Sequence, residues 1–178
     1  MTTPTGPISI ARDALRRMIA DCAVFRAWIG ASGDNENQQS QALNRIYVNV
    51  LPRPANGRQH TRDELLGYLP CALVYTGHPV YDSQPLASRE YSAGGVLMAK
   101  FFWEVPEEIA DNDFEIETRL HNFLGDLVEQ LKGLAGVHPY LGEIELGISE
   151  NFSRTKKEFR EPEGDYLDIE IMVKWAGI

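Results

Sequence analysis

Two runs of alternating apolar and polar residues near the C-terminus constrain the fold of this chain more than any other feature. The longer run spans 166–175 and the shorter spans 143–148. The apolar positions of the longer run are Leu167, Ile169, Ile171, Val173 and Trp175. Successive side chains of a strand point to opposite faces, so this period predicts half-buried strands. Two such runs in succession predict an antiparallel hairpin.

Apolar residues at three- and four-residue spacing predict two amphipathic helices. The first begins with Ser9 as its N-cap and ends at Gly30. The second follows Asn112, which with Glu115 resembles a capping box, and its apolar stripe continues to Leu134.

Three further strands are predicted at 45–51, 71–75 and 96–105, and one helical turn at 63–69. The polar segment 31–41 is predicted as a loop. Helices that cover one face of such strands give an α+β fold. We therefore expect a two-layer sandwich, with a mainly antiparallel sheet and two principal helices on one face.

The length of 178 residues, of which 43% are hydrophobic, favours a single domain over 1–178. Residues 1–7 are expected to form a flexible lead. Two long connections, 77–95 and 151–165, have no apolar pattern of their own. Long connections in compact domains are usually functional or disordered, so we expect these two to be extended arms that meet a partner.

Bulk charge and cysteine content exclude several classes of protein. A net charge of -9 disfavours tight nonspecific binding of nucleic acid, which depends on clustered Lys and Arg. Cys22 and Cys71 lie in apolar patterns and are predicted to be buried free thiols. No apolar run approaches the length of a membrane span, and no signal peptide is recognisable, so we expect synthesis in the cytoplasm and no membrane contact.

The sequence contains little that indicates catalysis. Glu117 and His121 have the spacing of metal ligands on a helix, but no further ligand joins them locally, and a solvated helix flank explains them better. His60, His78 and His138 have no neighbouring nucleophile. No phosphate loop and no paired-cysteine zinc spacing occurs. We therefore predict no catalytic residue, no metal and no cofactor.

The order of elements nevertheless follows a known pattern. Its parts are the first helix with the sequence AVFRAW at 23–28, the strand 45–50, the strand 95–105, the second helix, and a terminal hairpin with the sequence IEIMVKW at 169–175. In this layout the chain resembles the tail-terminator and tail-completion (neck) proteins of long-tailed bacteriophages and prophages. The resemblance covers most of the chain from about Ile8 onward.

The resemblance implies a compact α+β subunit without catalytic activity. Such subunits form a ring, expected to be a hexamer, at the head-proximal end of the tail tube, where they stop its growth and join it to the neck. The implied partners are other copies of the chain, the tail tube protein and a neck or head-completion protein. DNA would pass through the lumen without specific binding, and the mature location would be the virion.

If the resemblance holds, the two arms contact neighbouring subunits, the tube or the neck. The residues expected to make these partner contacts are Arg154, Lys156, Lys157, Glu158, Phe159, Arg160, Tyr81 and Arg89.

Three alternatives remain open at this point. One is another head-tail neck adaptor. A second is a small cytosolic enzyme that uses Glu117, His121 and His78, for which a metal dependence would be diagnostic. The third is an acidic inhibitor or immunity-type binding protein, which would stay monomeric and bind one basic partner.

Overall fold

A computed structural model of the chain describes residues 7–52, 54, 58, 60–81, 93–135, 145–154 and 166–176. These residues form an α+β fold, as the sequence predicts. Its helices are α1 (Pro7–Asp21), α2 (Ala23–Trp28), α3 (Asn35–Asn44), α4 (Arg62–Leu66) and α5 (Asp113–Ala135), with a short 3-10 helix at Glu107–Ile109. Its strands are β1 (Ile46–Val48), β2 (Cys71–Tyr81), β3 (Ala93–Glu104), β4 (Glu145–Arg154) and β5 (Tyr166–Ala176).

The strands form one five-stranded sheet in the order β1-β2-β3-β5-β4. β1 runs parallel to β2, and every other neighbouring pair is antiparallel. The predicted C-terminal hairpin is confirmed, since β4 pairs with β5 and places Ile148 opposite Ile171.

The first predicted helix is divided into α1 and α2, which corrects the single helix expected up to Gly30. Cys22 interrupts it with an extended backbone, at φ -67° and ψ 120°. The side-chain oxygen of Gln130 on α5 accepts a hydrogen bond from the Val24 N–H at 3.1 Å, so a donor freed by the break is satisfied. Ser9 lies within α1 and is not its N-cap.

The predicted loop at 31–41 is wrong, because α3 begins inside it. The carboxylate of Asp34 caps this helix by accepting a hydrogen bond from the Asn37 N–H at 2.8 Å. Only Ala42 of α3 is fully buried, and for this reason the apolar period is too weak to reveal the helix.

The two predicted arms are shorter than expected at their strand ends. β2 continues to Tyr81 through a bulge after Thr76, and β3 begins at Ala93. Part of the segment 77–95 is therefore strand, held by main-chain pairing that does not require alternating side chains. β4 likewise includes 151–154. The remaining connections, 82–92 and 155–165, lie outside the described residues, as do residues 1–6 of the lead.

One main core joins four helices to the sheet. Buried side chains from α1, α2, α3 and α5 pack with those of β1, β2 and β3. At its centre the ring of Phe101 lies 6.0 Å from Phe25 and 5.5 Å from Phe123, and Trp28 stacks on Phe123 at 4.5 Å between centroids. Such aromatic contacts add to the free energy of area burial. The finer two-layer arrangement stays a prediction.

The opposite face of the sheet carries a smaller cluster. Ala72 and its partner Phe101 belong to the main core, whereas the adjacent pair Cys71 and Phe102 packs with Leu69 in this second cluster. The alternation of a strand thus divides the side chains of β2 and β3 between two apolar environments.

Candidate assembly surface

The two long connections leave the sheet at opposite ends. The segment 82–92 follows Tyr81, which pairs with the first residue of β3. The segment 155–165 precedes Tyr166, which pairs with Glu104, the last residue of β3. β3 has 12 residues, so the two ends lie about 36 Å apart at the rise of an extended strand.

The predicted partner contacts divide between these two ends. Tyr81 is the last residue of β2, and Arg154 is the last residue of β4. The other predicted contacts lie outside the described residues; they are Arg89, Lys156, Lys157, Glu158, Phe159 and Arg160. In the described backbone, the two groups of predicted contacts therefore begin at opposite ends of the sheet.

The end of the sheet from which 155–165 leaves is acidic in the described residues. From the last residue of β3 to the start of α5, the exposed carboxylates are those of Glu104, Glu107, Glu108, Asp111 and Asp113. Beside them Phe114 at the start of α5 is 77% exposed. Carboxylates at the start of a helix interact favourably with its dipole, and this structural role accounts for those on the first turn of α5.

The backbone of β1 has a defined outer side. The carbonyl of Arg45 accepts a hydrogen bond from the Ala72 N–H at 2.9 Å, and the Asn49 N–H donates to the carbonyl of Val74 at 3.0 Å. Successive residues of a strand direct their backbone groups to alternate sides. The first and last residues of β1 therefore direct theirs away from the sheet.

Those outward carbonyls of β1 are already bonded. Nε of Arg16 donates to the carbonyl of Ile46 at 3.1 Å, and Nη2 of the same side chain donates to that of Leu43 at 2.7 Å. The Val50 N–H donates to the carbonyl of Val48 at 2.8 Å. Internal donors thus occupy the outward carbonyls of β1, which makes this edge of the sheet less suited to pairing with another strand.

Beyond β1, the outer side of β2 is also unsuited to pairing. Its register places Thr76 opposite Leu97 and, after the bulge, Pro79 opposite Gly95. On β3, the backbone N–H and C=O groups of Leu97 and Gly95 point towards β5. Those of their partners on β2, Thr76 and Pro79, therefore point to the outer side of the sheet. Proline has no N–H to donate, so within sheets it occurs where no neighbouring strand would need that hydrogen bond. A bulge and a proline together blunt this edge.

The outer side of β4 is different. Gly147 and Ser149 pair with Met172 and Glu170 of β5, and the same alternation directs their backbone groups towards β5. The intervening N–H and C=O groups, including those of Ile148, therefore point outward. β4 is the last strand in the order of the sheet, and the described part of the chain places no strand beyond it.

A polar and aromatic group covers part of the second sheet face. The ring of Tyr68 contacts those of Tyr47 and His60, each with 5.5 Å between centroids. Arg58 donates to Glu64 at 2.9 Å, and this hydrogen bond is the main cause that lowers the pKa of Glu64 to about 2. These contacts fasten the segment around α4 to the sheet and have a structural role.

The two cysteines are free, as predicted, and both are buried. Burial is the main cause that raises the pKa of Cys22 and of Cys71 to about 12. A reactive cysteine needs an accessible thiolate, and neither residue provides one near neutral pH.

The residues considered above as metal ligands are not brought together by the described part of the chain. Glu117 and His121 both lie on the exposed side of α5. Among the residues whose side chains the structure describes, no group of three or more His, Cys, Asp or Glu side chains is close enough to hold a metal ion. His60 belongs to the aromatic group above, while the side chains of His78 and His138 lie outside the described set.

Within the same residues, no helix has both the length and the apolar character needed to cross a membrane.

No protein-family model matches this sequence, and a search of curated proteins gives no significant match. The resemblance to tail-terminator and tail-completion proteins therefore stays a prediction.

Sequence reasoning missed two features of this surface. The first is the closure of β1 by Arg16, whose side chain acts on residues 27 and 30 positions away. The second is the position of β4 at the side of the sheet. The alternating pattern identifies β4 as a strand, but no pattern in the sequence states which strand of the hairpin lies outermost.

Proposed function

We propose that this protein is a bacteriophage virion assembly protein of the tail-terminator or tail-completion class. It forms a hexameric ring at the head-proximal end of the tail tube and joins the tube to the neck, by binding alone. The observation that carries this proposal is the departure of the two long connections from opposite ends of one sheet.

A ring at the junction between tube and neck needs different surfaces for different neighbours. Each copy must meet the next copy through two unlike surfaces, and the ring must also meet the tube on one side and the neck on the other. Two connections about 36 Å apart can contact two different neighbours at the same time, whereas loops gathered at one end of the sheet can contact only one. This separation supports a connecting role.

The charge of the chain also suits a channel for DNA. With a net charge of -9, a ring of these subunits has few means of gripping the phosphate backbone. We expect the acidic groups to limit sticking as DNA passes through the lumen. A lumen lined with Lys and Arg in the assembled ring would contradict this part of the proposal.

The test compares two shortened variants with the parent chain. In the first, 155–163 is replaced by a short glycine-containing turn; in the matched control, 83–89 at the other end of the sheet is replaced in the same way. Both should keep the far-ultraviolet circular dichroism and the cooperative unfolding of the parent. The first should lose attachment to purified tail tubes, because it removes Lys156, Lys157 and Arg160. The control, which removes Arg89 at the other end of the sheet, should keep its attachment to the tubes.

The measurement is mass by light scattering with and without tubes, followed by negative-stain imaging. Rings of the parent chain on tube ends would support the proposal. A parent chain that ignores tubes and neck proteins would overturn it. Unchanged attachment of the first variant would overturn the assigned role of 155–165.

A further inference from the structure

We propose that the segment 31–41 is a conformational device: it detaches from α1 and α2 and docks again while the rest of the fold stays intact. The segment contains the turn that follows α2 and the first two turns of α3. This inference goes beyond the proposed function and does not depend on it.

The first observation is that no side chain of this segment is fully buried. Ala31, Gln38 and Gln39 are half-buried, and the other eight residues are exposed. Burial begins again at Ala42, which is 0% exposed, and at Leu43, which packs against the main core. Because burial of apolar surface is the main favourable contribution to folding, the segment gains little from docking.

Polar contacts hold the docked segment in place. In the described part of the chain, two side-chain hydrogen bonds join it to the neighbouring helices. Arg26 of α2 donates to the side-chain oxygen of Asn35, and Gln39 donates to the carboxylate of Asp21 on α1. The other side-chain hydrogen bonds that the structure gives for the segment are internal to it. Each contact to the helices replaces a bond to water, so its net contribution is small.

A donor beside this contact is unsatisfied when the segment is docked. Nε of Arg26 is buried and has no hydrogen-bond partner among the described residues. A buried donor that has lost its bonds to water without replacement raises the free energy of the docked form. Because Asn35 covers the same guanidinium, detachment of the segment returns the guanidinium to water.

Two glycines allow the backbone to change direction at the N-terminal end of the segment. Gly30 and Gly33 have φ angles of +69° and +99°, in the left-handed region that favours glycine. Hinges are a few residues that absorb changes in φ and ψ. The segment therefore has a hinge at 30–33 and a fixed end at the buried Ala42.

Detachment changes what the protein offers to a partner. It frees the carboxylate of Asp21 and the guanidinium of Arg26, which the docked segment occupies. Elements that move on binding are drawn from the least stable parts of a fold. A partner that binds the detached form better than the docked form shifts the population towards it.

The first measurement is residue-resolved hydrogen exchange of the parent chain at several low urea concentrations. The helical amides of 38–41 should be at least about 100-fold less protected than the slowest amides of α1 and α5. Their protection should also depend only weakly on urea, because detachment exposes little surface compared with global unfolding.

Two variants separate detachment from global unfolding. Phe101→Ala weakens the core that the detached form retains, so it should speed the slowest amides of α5 by about 100-fold or more and leave those of 38–41 unchanged. Asp34→Ala weakens the docked segment itself, so it should speed both groups of amides by about fivefold. Ile116→Val, a smaller truncation in the same core, replaces Phe101→Ala if that variant does not fold.

Each outcome decides the proposal. A core variant that speeds the amides of α5 alone supports it. Equal acceleration of the amides of 38–41 and of α5 would overturn it, because the segment would then open only when the whole protein unfolds. Amides of 38–41 that exchange in the parent chain at the rate of an unfolded peptide would also overturn it, because no docked form would exist.

Discussion

At the scale of single residues, burial distinguishes two phenylalanines of the same chemistry. Phe101 is 0% exposed within the aromatic core, whereas Phe114 is 77% exposed. Phe101→Ala should lower the free energy of unfolding by about 3 to 5 kcal/mol, because it leaves a cavity. Phe114→Ala should change it by less than about 0.5 kcal/mol. Urea denaturation of the two variants checks this, and equal losses would contradict the assigned core.

The cysteines give a second prediction at this scale, concerning pH. Burial raises the pKa of both thiols from an ordinary value of 9.0 to about 12. At pH 8 the folded protein should therefore hold about a thousandfold less thiolate at each site than the unfolded chain. Labelling with a thiol reagent should be slow in buffer and fast in urea, where both thiols are freed.

The same shift has a consequence for stability. A thiol whose pKa is higher in the folded state contributes stability that is fully present below pH 9 and is lost as the pH rises towards 12. The free energy of unfolding should accordingly fall over that interval. Replacing both cysteines by alanine should flatten the fall, and an unchanged pH profile in that variant would assign it to other groups.

At the scale of elements, α3 depends on polar contacts more than on its apolar side. Asp34 caps its first turn, and Gln39 bonds to the side chain of Asp21 on α1. Asp34→Ala should therefore cost about 1 kcal/mol of stability, while Asp34→Asn, which keeps an oxygen acceptor, should cost much less. Urea denaturation with circular dichroism measures both, and similar losses would show that the cap contributes little.

This helix also shows where sequence reasoning stops. The two predicted helices have apolar stripes whose three- and four-residue spacing identifies them as helices. α3 has one fully buried residue, so its sequence shows no such spacing. Aspartate is favoured at helix N-caps, but it is equally common in turns, and at Asp34 no apolar run follows to distinguish the two. The break at Cys22 depends on Gln130, more than a hundred residues away, and local patterns do not report such a contact.

At the scale of the whole molecule, the strands and the C-terminal hairpin are predictable from the sequence, whereas the order of the other strands in the sheet is not. Alternation, or in β2 a short apolar run, predicts part of every strand. It does not predict 76–81 of β2 or 149–154 of β4, where the register of pairing shifts. The order β1-β2-β3-β5-β4 decides which backbone groups face outward, and it follows from contacts between distant parts of the chain. The candidate assembly surface depends on this strand order, so motifs of a few residues in the sequence do not locate it.

Net charge is the property of the whole molecule that bears most directly on DNA. Phosphate binding strengthens with the number of basic groups that release counterions, and this chain has 17 Lys and Arg against 26 Asp and Glu. We expect no binding to a fluorescent duplex at 50 mM salt, measured by anisotropy up to about 0.1 mM protein. Affinity that falls steeply between 50 and 200 mM salt would instead reveal a local basic surface, and it would contradict a lumen through which DNA passes without being held.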